Sequence, residues 1–294
     1  MKSEATKRLY PRTMICAVYG LPRSTWYAAS GLSAAKRPMA AIRRGPRSRW
    51  SDTEVLASIR QVLLESHFHG EGYRKVRVKL RARGIRVGRN RVLRIMRENQ
   101  LLVPVRRLAN HGDRSHEGRI QTDRPNELWG ADAARFYTRK DGWCWFFGAI
   151  DHCSEDIVGW HVAKRGDRWA ALEPIRQGIR AHYRDYATKI ALGLGLRHDW
   201  GPQYCAHQFL GELRWLGIKS TPSYVGEPQC NGIMERWIRT LREECLYLHD
   251  FESLEEAREI IGEFIRLYNE QWMLERFEYR SPLEIRQSFA DVAA

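Results

Sequence analysis

The strongest constraint in the chain is the stretch from Leu196 to Glu244, which carries two acids at a telling separation. Asp199 follows an apolar run, Ile190 to Leu196, that reads as a strand, and Glu235 lies inside a helical pattern; 35 residues stand between them. That interval holds a loop, a helix, a short strand and another loop, so a strand end and a later helix can meet. Carboxylates that converge usually serve hard cations, because Mg²⁺ takes oxygen ligands, commonly one or two carboxylates plus substrate phosphates. A third acid upstream completes such a set. Asp132, in the middle of a strand-like run and flanked by Ala131, Ala133 and Ala134, is the candidate. Any one of these acids alone reads more simply as a cap, an ion-pair partner or a surface charge. Glu235 and Arg239, four residues apart, suit an ordinary helix pair.

Charge divides the chain. The first 125 residues carry 28 Lys/Arg against 9 Asp/Glu, and the remainder 21 against 26, within a net charge of +14. A basic leading region ahead of a near-neutral body points to a polyanion, with nucleic acid the leading partner. Arg predominates there, and its planar fork suits phosphates and guanine edges. The six cysteines are scattered without a C-x-x-C, which predicts a reducing compartment rather than a disulfide scaffold. His67 and His69 lack the cysteine pair that a zinc module needs. The start is charged, and the longest apolar run, Trp143 to Ile150, is far short of the ~20 residues of a membrane span. The expectation is a cytoplasmic protein with no membrane partner.

Taken in order, residues 1–30 read as a helix-turn-helix-like segment, with a Gly20-Leu21-Pro22 turn, and 31–50 as a basic linker. Residues 51–102 read as a basic helical DNA-binding module. It opens on the capping box Ser51–Glu54 and closes on a helix from Arg89 to Glu98. Candidate DNA contacts are Arg74, Lys75, Arg89, Arg91, Arg94 and Arg97, with a solvated basic face as the plainer alternative. A second linker is expected at 103–124. The core expected at 125–248 has strands at 128–137, 143–150, 157–163, 190–196 and 218–221. Helices are expected at 168–183, 206–216 and 231–248, giving an α/β layer on a mixed sheet. A C-terminal helical extension, 249–294, begins behind Ser253 as cap.

The segment Asn126 to Glu244 resembles the catalytic core of the retroviral-integrase superfamily, a ribonuclease-H-like fold with an Asp, Asp, Glu triad. The chain as a whole is similar to second-reading-frame transposases of the IS-three family of insertion sequences. The matching pieces are Gly72-Tyr73-Arg74-Lys75-Val76, Asn90 to Arg97, Pro125-Asn126-Glu127-Leu128-Trp129, Asp199 to Tyr204, Asn231 to Arg236, Tyr268-Asn269-Glu270 and Tyr279-Arg280-Ser281-Pro282. Ala133-Ala134 and Trp200 depart from the family's usual residues, and no carboxylate is lost.

The resemblance implies a DNA transposase in which Asp132, Asp199 and Glu235 are catalytic and bind two Mg²⁺ or Mn²⁺ ions. They would free a 3′-OH at an element end and join it to target DNA. It implies double-stranded DNA as substrate, a homo-oligomer, and an upstream-frame partner or fusion, in a bacterial cytoplasm. Gln203 and Asn231 are candidates for contacting DNA or orienting the acids, with capping as the equal alternative. Lys219 and Arg239 are candidate phosphate contacts, with solvation as the alternative. The rival functional readings are a catalytically inactive DNA-binding repressor and a nuclease that cuts without joining.

Overall fold

The computed structural model describes residues 4, 6–29, 49–103, 122–183, 185–222 and 231–292. Most of both basic linkers, at 31–50 and 103–124, lies outside these residues. The chain divides into two compact units, Met1–Arg49 and Trp50–Ala294. In the first, α1 (Arg12–Val18) and α2 (Arg23–Ala29) form the helical pair expected from the sequence. Between them Gly20 takes φ +63°, and the Leu21 amide donates to the Cys16 carbonyl at 2.9 Å, closing the end of α1.

The second unit opens with three helices: α3 (Asp52–Leu64), α4 (Tyr73–Ala82) and α5 (Arg89–Glu98). The capping box forms as read: Ser51 accepts from the Glu54 amide, and Glu54 accepts from the Ser51 amide at 2.7 Å. Val55, Ile59, Val62, Val76, Leu80, Val92, Ile95 and Met96 make a separate small core. Each helix contributes an apolar face at helical spacing and leaves its arginines outside.

A five-stranded mixed sheet follows, in the order β3-β2-β1-β4-β5. β1 (Leu128–Thr138), β2 (Gly142–Asp151) and β3 (Ile157–Ala163) form an antiparallel meander. β4 (Gly195–His198) and β5 (Lys219–Pro222) run parallel to β1. α6 (Arg168–His182) lies between β3 and β4, and the short α7 (Pro202–Cys205) and α8 (His207–Leu216) lie between β4 and β5. After β5 come α9 (Gly232–Leu241), α10 (Leu254–Gln271) and α11 (Pro282–Val292). Side chains alternate across a strand, so β1 divides its residues between two cores. Trp129 and Ala131 join Phe147, Ala149 and the faces of α6 and α8. Ala134 and Phe136 join Phe146, Ile150 and the apolar faces of α9 and α10. No helix among the described residues is long and apolar enough to cross a membrane.

Three expectations are corrected. The apolar run Ile190 to Leu196 is mostly a turn rather than a strand, and β4 begins only at Gly195. Lys189 (φ +57°) and Gly193 (φ +95°) bend the chain, and Ala191 is held by its amide to the Leu216 carbonyl at 2.9 Å. Ala191 and Leu194 are buried because this turn packs beside α8; an apolar run alone does not reveal which element buries it. The helix expected from Asn231 to Leu248 is interrupted: α9 ends at Leu241 and a π-helical turn, Arg242–Leu246, follows, with the Tyr247 amide bonding the Arg242 carbonyl at 2.9 Å. The extra residue turns Glu244 toward the loop before α4, where its carboxylate accepts the amides of His69 and Gly70 at 2.7 and 2.8 Å. Thirdly, the helix expected from Ala206 starts at His207, and α7 precedes it as a separate turn.

Helix α6 approaches β3 closely. A Cβ at Gly159 would overlap the Pro174 carbonyl, and one at Gly178 would meet the Trp129 ring at 2.7 Å. By contrast, a Cβ at Gly211 in α8 meets nothing within 4 Å. We therefore expect Gly159→Ala to destabilise the fold by about 3 kcal/mol, since backbone cannot yield as a side chain does. Gly211→Ala is expected to stabilise it by up to about 1 kcal/mol. Urea unfolding of the two variants against the wild type checks both signs.

Candidate active site

Asp132 lies on the β1 face toward α9, two residues from Gly130 and two from Ala134. Its partner across β2 is Gly148, and a Cβ there would meet Met234 Cε at 2.9 Å. The missing side chain lets α9 settle against the strand that carries the acid. On the other side, the parallel pairing of Leu128 with Gly195, Trp129 with Leu196 and Gly130 with Arg197 runs straight toward the acids. Continuing that register by two residues sets Asp199 beside Asp132.

Glu235 sits in the first turn of α9, whose start is tied to β1 by the Asn231 side chain. Asn231 is buried, and its Nδ2 donates to the Ala131 carbonyl at 3.0 Å. The side chain makes no capping bond to α9, so the capping alternative is replaced by a strand-to-helix clamp. Glu235 makes no hydrogen bond or ion pair among the described residues, so the plainer alternative of a Glu235–Arg239 helix pair is not the arrangement found.

The electrostatics are those of an anionic site short of positive charge. Burial pushes the Asp132 carboxyl up to about 6. The Ala133 amide, donating to its Oδ1 at 2.7 Å, opposes this; the charges of Asp199 and Glu235 push it further up, and Arg242 pulls it down. Desolvation also raises Glu235. Asp199 is exposed, and its Oδ1 accepts the Gly201 amide at 2.9 Å. His198 supports it from below: Nδ1 bonds the Asp199 carbonyl oxygen and Nε2 the Ser220 hydroxyl, both at 2.8 Å.

Gln203 lies against Gly201 and the Asp199 carboxylate, since a Cβ at Gly201 would meet both side chains. Four further residues at the site escaped the sequence reading. Tyr204 is fully buried, and the Asp132 and Asp199 charges bear on its hydroxyl. Arg242 is two turns along from Glu235, a spacing that could have been noticed. Among the described residues Arg197 Nε is buried without a hydrogen-bond partner, and so are both ring nitrogens of His152. Burial holds His152 down to about 4, hence neutral. Its Nε2 and the unpartnered Asn231 Oδ1 both lie over Gly130, at 2.7 and 2.6 Å from where a Cβ would stand. That juxtaposition joins three elements and has no sequence signature.

The remaining predicted contacts are elsewhere. Arg74 pairs with Glu275 at 2.6 Å, and Lys75 lies 3.1 Å over the Trp272 ring, where burial lowers it to about 8. Both are engaged by the C-terminal segment, Arg74 while remaining exposed and Lys75 half-buried. Arg91 and Arg94 hold Asp52 at the start of α3, and Arg94 also pairs with Glu98. Arg89 donates to the Tyr73 hydroxyl at 2.9 Å. Arg97, Lys219 and Arg239 are exposed.

Among the described residues no group of three His, Cys, Asp or Glu side chains stands close enough to share one metal ion. The chemistry of the donors nonetheless fits a hard divalent cation. All three are carboxylates, Asp199 and Glu235 disfavour ionisation of Asp132, and the Arg242 charge opposes them.

Known proteins resemble the chain over most of its length. Two integrase core domain descriptions match residues 122–228 and 216–281, and an HTH-like domain description matches residues 50–108. The chain is 26% identical over 234 residues to the insertion element IS600 uncharacterized 31 kDa protein of Shigella sonnei, covering 76% of this chain and 84% of the relative. It is 27% identical over 248 residues to transposase InsD for insertion element IS2A/D/F/H/I/K of Escherichia coli, covering 82% and 81%. The catalytic core domain of BIV integrase aligns with a TM-score of 0.42 and 22% identity, over 57% of this chain and 98% of that one.

The raised Asp132 pKa has a definite consequence for stability. Below about pH 3 the carboxyl is protonated in both folded and unfolded chains and costs nothing. As pH rises toward about 6 the unfolded chain ionises first, so the folded state loses stability across that window and stays penalised above it. We expect Asp132→Asn to match the wild type near pH 3, to gain on it steadily between about pH 4 and 6, and to exceed it above pH 6.5 by on the order of 2 kcal/mol. Urea titrations in the presence of a chelator, pH by pH, check this. The opposite trend from His152 is common to both proteins and cancels.

Proposed function

We propose that this chain, an insertion-sequence transposase with a retroviral-integrase-superfamily core behind an HTH-like domain, cleaves element ends at their 3′ side and joins them to target DNA. What supports the finer part of the reading is one observation: Asp132 feels the charges of both Asp199 and Glu235, although the three lie on a strand, beyond a strand end and on a helix. In this reading Asp132, Asp199 and Glu235 hold divalent Mg²⁺ or Mn²⁺, which when bound activates the attacking hydroxyl and stabilises the departing oxygen.

The chain's own residues perform the positioning. The Ala133 amide holds one Asp132 oxygen, leaving the other for the site. The Gly201 amide does the same for Asp199. Asn231, clamped to Ala131, sets the start of α9 and with it Glu235. Arg242 supplies a fixed positive charge beside the acids, and Gln203 stands next to Asp199.

Both proposed reactions are the same displacement at phosphorus. In the first, a water oxygen bonds to phosphorus, the bond to the 3′ oxygen breaks, and that oxygen leaves as a 3′-OH while the flank keeps a 5′-phosphate. In the second, the freed 3′-OH bonds to a target phosphorus and the target's own 3′ oxygen departs with a proton. One phosphodiester is made for each one broken, so no external energy source and no protein nucleophile are required. Binding two ends at once calls for more than one copy of the chain, and a homo-oligomer is part of the proposal.

The test uses the full chain with labelled duplexes carrying the ends of the element that encodes it. With Mg²⁺ the wild type is expected to give nicked and joined products. Glu235→Gln is expected to lose at least about a hundredfold in rate while still binding the duplex, because a metal site contributes several kcal/mol to the transition state. Products in equal yield from the variant would remove Glu235 from the site. Cutting without joining would favour a nuclease, and binding without cutting in the wild type would favour a repressor.

A further inference from the structure

The basic helical module carries a second feature, separate from the acids and from the arginines singled out in its sequence. Between α4 and the start of α5 lies a cavity of about 330 Å³ lined by Arg77, Arg81, Arg86, Val87 and Gly88. Arg77 and Arg81 are one helical turn apart on α4, and Arg86 and Gly88 belong to the connection into α5. Most other cations of the module are neutralised within the chain. Lys79 pairs with Glu71, Arg83 with Glu65, Arg91 and Arg94 with Asp52, and Arg74 with Glu275. Arg77, Arg81 and Arg86 have no ion pair among the described residues. Like charges gathered at one cavity repel one another unless an anion joins them.

The backbone contributes as well. Gly88 is the N-cap of α5 and has no side chain to accept the first amides of that helix. Its φ of −65° is open to any residue, and a Cβ there would meet nothing within 4 Å. Conformation therefore does not require glycine here; its effect is to leave the helix start uncovered. The amides of Arg89 and Asn90 have no acceptor among the described residues, and the positive end of the α5 dipole faces the same place. Arg77 is anchored at the cavity wall, its Nε donating to the Val87 carbonyl at 3.3 Å.

We infer that this cavity is a docking site for a backbone phosphate of double-stranded DNA. The ligand is a phosphodiester gripped by the forks of Arg77, Arg81 and Arg86 and by the first amides of α5. The inference rests on the DNA-binding part of the proposed function and moves the module's phosphate contact away from Arg74, Lys75, Arg91 and Arg94, whose charges are satisfied internally. A guanidinium paired with a phosphate reads no base, so the site positions the module on the duplex and leaves sequence discrimination to other side chains.

The test is fluorescence anisotropy of the full chain with a labelled element-end duplex over a range of salt. Arg81→Gln combined with Arg86→Gln should weaken binding about tenfold, with the slope of log K against log salt reduced by about one. Gly88→Asp places a carboxylate where a helix cap is favoured; the chain should melt at the wild-type temperature or above while losing affinity comparably. Arg74→Gln should leave the slope unchanged. Wild-type binding that none of these cavity variants alters would overturn the inference and leave the transposase reading standing. If inorganic phosphate raises the melting temperature of the wild type and not of Gly88→Asp, while DNA affinity is equal in both, the site takes a free anion and the DNA assignment is overturned. A wild-type chain that binds no duplex overturns both readings, whereas DNA binding through the cavity without strand cleavage overturns the catalytic one alone.

Discussion

The pairing of β1 with β4 is the constraint on which the rest of the core depends. Parallel strands in register place equivalent positions side by side, so the pairing of Gly130 with Arg197 brings Asp199 alongside Asp132. Parallel strands need a crossover, and α6 supplies it, seated so closely that Gly159 and Gly178 have no room for a side chain. That seating fixes the crossover against the sheet that positions the two acids. On the opposite face the same economy recurs. Gly130 and Gly148 clear the strand surface so that Asn231 and Met234 can reach it, and α9 delivers Glu235.

A carboxylate at the junction of two cores is an unusual placement energetically. Asp132 is flanked by Ala131 and Ala134, each packed into a different apolar cluster, and its own charge is opposed by burial before any neighbour acts. His152 on the far side of Gly130 is buried and kept neutral. Against burial and the two neighbouring acids stand the Ala133 amide and, more weakly, the Arg242 charge. It is suited to a partner that brings positive charge, which is the physical content of the cation requirement proposed for it.

The helical module shows how sequence charge density and available charge differ. Its arginines are abundant, yet many are spent on internal pairs that fasten helix to helix, as Arg91 and Arg94 do at Asp52. Others fasten the module to the C-terminal segment, through Arg74 with Glu275 and Lys75 over Trp272. Phe68 adds an apolar anchor, edge-on to Trp272 with centroids 4.9 Å apart. Among the described residues Arg77, Arg81 and Arg86, on α4 and its following turn, have no ion pair and line one cavity, while Arg60, Arg89 and Arg97, on α3 and α5, likewise have no ion pair.

The sequence alone determined the mixed α/β layer, the three helices ahead of it, the strand limits of the meander to within a residue, and the cap at Ser51. These follow from local rules: period-two and period-3.6 patterns, turn residues and side-chain-to-amide geometry at helix starts. It also isolated Asp132, Asp199 and Glu235, because a charge amid alanines and an acid after a strand are anomalies in one dimension. The tertiary structure decided what those rules cannot reach. Ile190 to Leu194 is apolar enough for a strand but is buried as a turn against α8. Asn231 has the chemistry of a cap but finds the Ala131 carbonyl a hundred residues away. Which arginines remain free depends on acids that folding brings near, and the π-helical turn at Arg242 carries Glu244 to the amides of His69 and Gly70, far away in sequence. Local preference is additive along the chain, whereas charge pairing, burial and close approach are set by neighbours that only folding supplies.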